Sequence, residues 1–252
     1  MAALFGPRPV SEALARCAEL EREARGDRRV GAVVDTVVAG LEARQGRFEE
    51  ARALQSRSEA ALRELGFAVE LAGIGMYAGT IELLAGDPPA AQREFRAAEA
   101  ALREIGDRGT LSTAAALLAE ALHVEGSDAE AERYALLSAE AASPDDLVSQ
   151  VISRAVRAKV FTRRSKPDEA ERIARESVAL AAQTDFSWLH GDALVALATA
   201  LGSAGKEEEA RAALEDALRL YEKKGDVVSS ENARTLLAEL QQADLDRGTA
   251  TR

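Results

Sequence analysis

The chain has 252 residues, with 43 acidic against 32 basic side chains and a formal net charge of −11. Phosphate backbones and anionic lipid headgroups repel that surplus, which sets nucleic acid and membranes aside as direct partners. A single cysteine, Cys17, excludes a disulfide framework, and no apolar run approaches the roughly 18 residues of a membrane span.

The start "MAALFGPRPV" does not read as a secretory leader, so the expectation is a cytoplasmic protein. Aromatics are only 4% of residues and charged side chains 30%, a balance that suits helices packed closely through small side chains.

Two series of turn signals divide the chain. One begins at Gly46, Gly86, Gly126, Ser165 and Gly205, in steps of 40, 40, 39 and 40 residues. The other runs through Gly26, Gly66, Gly106, Pro144–Asp145, Thr184–Asp185 and Gly225. A period held this closely predicts a solenoid of helical hairpins. Helix A of each unit precedes the Gly46-type turn and helix B follows it.

In chain order, Gly6 to Gly26 has the same half-step as Gly46 to Gly66. Within the half-unit 6–25, Val10 to Arg25 therefore reads as a B helix whose A partner is missing, with Met1 to Phe5 as the last residues of that partner. On this reading the chain is a piece of a longer protein. Its first helix would lack cover over Leu14, Cys17 and Leu20, and would fray or pair with a second copy of the chain.

The full hairpins are expected at 27–65, 67–105, 107–143, 145–184 and 186–224. The first pairs "VGAVVDTVVAGLEARQ" with "EEARALQSRSEAALREL", both apolar at helical spacing. The second contributes Met76, Thr80 and Leu83 to the stripe counted as the concave face. Its "GIG" at Gly73–Gly75 follows no strand and is not a nucleotide loop. Pro88, Pro89 and Pro167 fall in first turns of B helices, where a missing amide costs nothing.

The third hairpin adds Glu120 and His123 to the concave stripe. The fourth adds Lys159 and Thr162, and also carries Arg154 and Arg157 among valines and alanines. The equivalents of Arg157 are Val38, Ala78, Leu118 and Leu197, all apolar, so Arg157 is expected between helices. A guanidinium there must be paired, and Glu120, Asp192 and Glu171 are the candidate partners. A structural ion pair and a receptor for an anion both fit. The fifth hairpin supplies Asp192 and Thr199 to the stripe and Trp188 as a packing residue. A final helix over 226–243 closes the array and reads as a natural end.

The two histidines, His123 and His190, stand 67 residues apart with no companion at ligand spacing, so no metal site and no cofactor are expected. The only asparagine is Asn232, which counts against clamping of a peptide carboxylate by asparagine and lysine.

Small residues recur at fixed offsets from the turns. Ala39, Gly79, Ala119, Ala158 and Ala198 stand seven before; Ala51, Ala91, Ala131, Ala170 and Ala210 stand five after. Twelve after are Ser58, Ala98, Ser138, Ser177 and Ala217. Large side chains there would hold paired helices apart. This spacing resembles the tetratricopeptide repeat over nearly the whole chain, although the period is 40 rather than 34 residues and the large aromatics of the standard pattern are mostly absent. The resemblance implies an all-α, right-handed superhelix of antiparallel hairpins forming one repeat domain.

The stretches "GDRGTLSTAAALLAEALHVEG", "SQVISRAVRAKVFTRR", "DEAERIARESVALAAQTDF" and "ALEDALRLYEKKGDVVSSENARTLLAEL" look like the C-terminal repeat tail of actinobacterial-type signalling proteins. In those proteins a class III nucleotidyl cyclase or a transcription regulator precedes an NTPase module. The resemblance implies a scaffold or sensory tail without catalysis, and no nucleophile–base pair or phosphate loop is readable to suggest an enzyme. The partner expected is a protein or peptide segment, or upstream domains of the same polypeptide. The alternative is a small-molecule-sensing repeat domain of a transcription regulator.

If the small positions set the distance between helices, Ala119→Leu and Ala170→Leu each destabilise the fold by about 1–3 kcal/mol through overpacking. Denaturant midpoints measure this, and unchanged midpoints in both variants would remove the assigned contacts.

Overall fold

The computed structural model describes the backbone of residues 2–250, with side chains from 4 to 242. Thirteen helices lie within those bounds, with no strand among the described residues. They are α1 (Ala2–Phe5), α2 (Val10–Glu23), α3 (Arg28–Arg44), α4 (Phe48–Leu65), α5 (Ala68–Leu84), α6 (Pro88–Ile105) and α7 (Arg108–Val124). The remainder are α8 (Asp128–Ala141), α9 (Leu147–Arg163), α10 (Pro167–Ala181), α11 (Ser187–Ser203), α12 (Glu207–Lys224) and α13 (Val227–Ala250). The last helix runs past the expected end at 243, through a segment that holds no proline to stop it.

Each A→B break is made the same way. The amide one residue past the turn reaches back to close the helix: Arg47 to the Glu42 carbonyl, Asp87 to Glu82, Ser127 to Leu122, Lys166 to Phe161 and Lys206 to Leu201. This motif places the turn residue in the left-handed region, where glycine carries no steric penalty. Four of the five turns use glycine; Ser165 adopts φ 57° without it. Helices then start on aspartate caps. Asp27, Asp87, Asp107 and Asp146 accept the amides of Val30, Ala90, Thr110 and Ser149.

Paired helices meet through the small positions, and all fifteen are buried. Gly79 shows why: a β-carbon there would run into the Phe95 ring. Ser58 and Ser177 satisfy their hydroxyls by donating to the Ala32 and Val151 carbonyls at 2.7 and 2.9 Å, so a polar atom can sit at zero exposure. Successive A helices also pack on one another, α3 on α5, α5 on α7, α7 on α9 and α9 on α11. They therefore line the inside of the curve, with the B helices outside.

The array then does something a simple stack does not. Its two ends meet. Helix α13 touches α3, the Arg44 guanidinium pairs with Asp226, and the Gln45 amide donates to the Gly225 carbonyl. Lys224, fully buried, donates to the carbonyls of Gly6 and Arg8 at 2.7 and 2.9 Å.

This closure corrects the expectation of a bare first helix. Val10, Ala13 and Cys17 are buried with Leu4, Val34, Val37 and Leu41. Leu14 and Leu20 are half-buried against the same cluster. The end of α1 and the Val34–Leu41 stretch of α3 supply the cover, so the motive for pairing through this face is gone.

Ser165→Gly should stabilise the protein by about 1 kcal/mol, the order of the left-handed penalty it removes. Chemical denaturation checks this. A loss of stability would mean that the Ser165 side chain, not its backbone angle, sets the turn.

Candidate functional site

Closure narrows the inside of the curve into a partly open groove with two chambers that share Thr80, Leu117, Ile152 and Trp188 in their walls. The larger, about 240 Å³, is walled by α3, α5, α7, α9, α11, α12 and α13. The smaller, about 80 Å³, is almost wholly apolar and lies under α1. Leu4 packs against Gly40, whose missing side chain makes room for it. Phe5 projects into the interior, 6.0 Å from Tyr77, 5.9 Å from Phe186 and 5.8 Å from Trp188 between ring centres. The chain thus lays two of its own N-terminal side chains on the floor of its groove.

Of the residues counted as the concave stripe, Thr80, Leu83, Glu120, Lys159 and Asp192 line the larger chamber. Met76 and Thr80 line the smaller. Three do not reach either. His123 is buried at the end of α7, its Nδ1 2.8 Å from Asp128 and its carbonyl accepting from Arg163 at 2.6 Å. Thr162 and Thr199 donate to the carbonyls one turn back, Ala158 and Val195. A row counted at a fixed offset drifts off the groove as the A helices rotate about the curve.

The charges inside are almost matched. Lys159 donates to Glu120 at 2.5 Å. Burial works against the Glu120 carboxylate, but the neighbouring ammonium outweighs it and holds the group below its ordinary range. Arg44 is satisfied by Asp226 and lies over the Trp188 ring at 5.4 Å. Asp226 uses its other oxygen to cap α13, accepting the Ser229 amide at 3.0 Å.

Asp192 is different. It accepts the Tyr221 hydroxyl at 2.6 Å and has no cationic atom within 4 Å among the described residues. The residue is exposed to solvent within the larger chamber, between the helices that wall it. Desolvation pushes its carboxyl up to about 6 against the opposing pull of Tyr221, Arg44 and Lys159. Burial likewise raises the Tyr221 phenol well above its usual value. The Tyr221 ring lies where a side chain at position 191 would be, so Gly191 is what lets this hydroxyl reach Asp192.

The two arginines of α9 separate. Arg154 donates to the Gln150 carbonyl at 3.0 Å and stands 3.8 Å from Glu176, a loose ion pair. Arg157 has no carboxylate within salt-bridge distance among the described residues, contrary to the expected buried pair. Its three candidate partners are engaged elsewhere: Glu120 by Lys159, Asp192 by Tyr221, Glu171 by Lys206 and Arg175. Arg157 is only half-buried and spreads over the Phe161 ring at 5.9 Å. Its stem packs and its head rests on that ring, a common compromise for arginine, while the buried Nε has no hydrogen-bond partner among the described residues.

Trp188, read as a packing residue, is nine-tenths buried and lines both chambers, with its indole N–H unpartnered among the described residues. Arg44, Tyr221, Ser229 and Asn232 also line the larger chamber and were not assigned to a groove from the sequence. No signal within one repeat could have placed them, except the small residue at Gly191 opposite Tyr221. No helix among the described residues is long and apolar enough to cross a membrane.

No family description matches the chain, and no curated protein does. Solved structures do. The chain is similar to the protein NprR in complex with its cognate peptide NprX, at TM-score 0.69 and 16% identity over 97% of this chain and 70% of that one. BtubC from P. vanneervenii matches at TM-score 0.60 and 17% identity over 84% and 90%. A signal-transduction ATPase of Pyrococcus horikoshii with a tetratricopeptide repeat sensor matches at TM-score 0.54 and 15% identity, over 87% of this chain and 35% of that one. The fold is that of the tetratricopeptide-like solenoids.

Asp226→Asn keeps a cap for α13 but leaves Arg44 buried without its counter-charge. It should cost roughly 3–5 kcal/mol, whereas Asp107→Asn at an ordinary cap should change stability by about 0.5 kcal/mol or less. Equal effects in urea denaturation would show that Asp226 acts only as a cap.

Proposed function

We propose that the chain is a non-catalytic recognition module whose inner groove takes a peptide segment, from a partner or from another part of the same polypeptide. What carries the reading is the groove itself. It is lined by apolar walls with few polar groups, as ligand sites are, and Leu4 and Phe5 already lie in it as a short bound segment would. The tetratricopeptide-like fold and the peptide complex of NprR support the same reading. The resemblance to repeat tails of multidomain signalling proteins adds a setting: a scaffold or sensor attached to a signalling domain, working in the cytoplasm. The concave residues proposed to meet the segment are Thr80, Leu83, Glu120, Lys159 and Asp192, with Met76 beneath.

A second reading, a small-molecule sensor, draws on the larger chamber being closed at the α3–α13 contact. A groove bridged at that contact suits a compact ligand better than an open trough does.

A fluorescent form of the chain on a random heptapeptide array tests the first reading. Ala155 lies in the chamber wall and is 5% exposed, so Ala155→Trp fills the space; circular dichroism establishes that the variant is folded. Peptides bound by the wild type should be lost by a folded Ala155→Trp. Undiminished binding of the same peptides would place recognition outside the groove.

A further inference from the structure

We infer that the larger chamber is built for a primary ammonium carried on an apolar chain, with Asp192 as its counter-ion. This rests on the groove being the recognition site and names the chemistry it selects.

The first argument is charge matching. Two cations enter the chamber wall, Arg44 and Lys159, and each is already paired, with Asp226 and Glu120. Asp192 remains as one carboxylate in excess. An anionic ligand would have to break one of those pairs, and the Arg44 pair is almost wholly buried, so breaking it strands a charge. A cation has only to approach a carboxylate that already faces the space.

The second argument is the shape of the free acceptor. Tyr221 holds one Asp192 oxygen at 2.6 Å, leaving the other without a partner among the described residues. A guanidinium binds best to both oxygens of a carboxylate at once. An ammonium is a point donor and needs one. The Tyr221 ring is itself fixed by packing over Gly191, so the acceptor is oriented before anything arrives.

The third argument is what surrounds it. Leu83, Leu117, Val195 and Leu236 line the same chamber, and a chain of four to six methylenes would cover them. A lysine side chain of a peptide and a free alkylamine share this chemistry.

The groups facing Asp192 are Tyr221 on α12, Arg44 on α3, Lys159 on α9 and Asp226 ahead of α13, with Glu120 of α7 in the same wall. Asp192 loses its proton near pH 6, so the affinity for an ammonium should rise between pH 5 and pH 7, as the carboxylate forms. Comparators without an amine, hexanol or a peptide with norleucine in place of lysine, should show no such rise.

The test titrates the full chain with two probe sets. One is hexylamine against hexanol and hexanoate. The other is an N-acetylated, otherwise apolar heptapeptide with one central lysine, against the same peptide with norleucine or arginine there. A preference for the ammonium form of about tenfold, lost in Asp192→Asn and in Ala155→Trp, supports the assignment. If hexylamine shows it, free amines enter; if only the lysine peptide shows it, the source is a peptide. If the norleucine peptide binds as tightly as the lysine peptide, and Ala155→Trp abolishes both, the groove reading stands and the ammonium assignment falls. If no probe responds to Ala155→Trp, both fall. Asp192→Glu distinguishes charge from shape: it should retain the pH dependence even where its affinity drops.

Discussion

Everything inside this molecule depends on one join: the buried contact of the N-terminal residues and the end of α3 with the turn between α12 and α13. Lys224 holds the Gly6 and Arg8 carbonyls, and Arg44 holds Asp226, across sequence separations of 218, 216 and 182 residues. A solenoid is ordinarily stabilised by neighbours alone, and its inner surface is an open trough. Here the trough is bridged where α13 meets α3. The join uses charge where a simple stack would use alanine and leucine. Burial lowers the Lys224 pKa to about 8, so the ammonium is held at a cost. A buried charge is tolerated only with near-complete hydrogen bonding, so this geometry admits few alternatives. An apolar contact of the same area would slide; two backbone carbonyls and a capping carboxylate do not.

The turns and the packing positions were legible in the sequence because both are local and repeated. The 40-residue step marks where the chain reverses, and the small residues mark where paired helices touch; the structure has breaks and contacts at those places. The concave stripe was half legible. Thr80, Glu120 and Lys159 share an offset and line the chamber, but Thr199, at the same offset, does not. An offset fixes the side of a helix, not how far round the curve that helix has travelled.

Arg157 shows the same limit in a different form. Its equivalents are apolar, yet Val38 and Ala78 are only half-buried while Leu118 and Leu197 are buried. Equivalence in the repeat gave the type of position without its depth, and an arginine can settle at a half-buried one by resting its head on Phe161. Asp226 carries the converse lesson. It follows a glycine just as Asp27 and Asp107 do, and reads as one more helix cap. Only closure of the ring brings Arg44 to its second oxygen, and nothing within one repeat marks that.

The charge distribution follows from the same division between local and closing contacts. On the outside, pairs such as Arg52–Glu82, Arg96–Glu130, Arg175–Glu209 and Lys206–Glu171 link consecutive units. They are largely solvated and individually weak, and replacing one would trim a single unit interface. Inside, local pairs meet one long-range pair: Tyr221–Asp192 lies within a hairpin and Lys159–Glu120 links consecutive units, while Arg44–Asp226 joins the two ends. Asp192 sits on α11, its orienting hydroxyl comes from α12, and the nearest cations belong to α3 and α9 and are engaged by other carboxylates. The excess of acid that makes the whole chain repel phosphate is thus expressed within the groove as one oriented carboxylate. Its neighbours neutralise each other, so its selectivity for charge depends on the ring being closed.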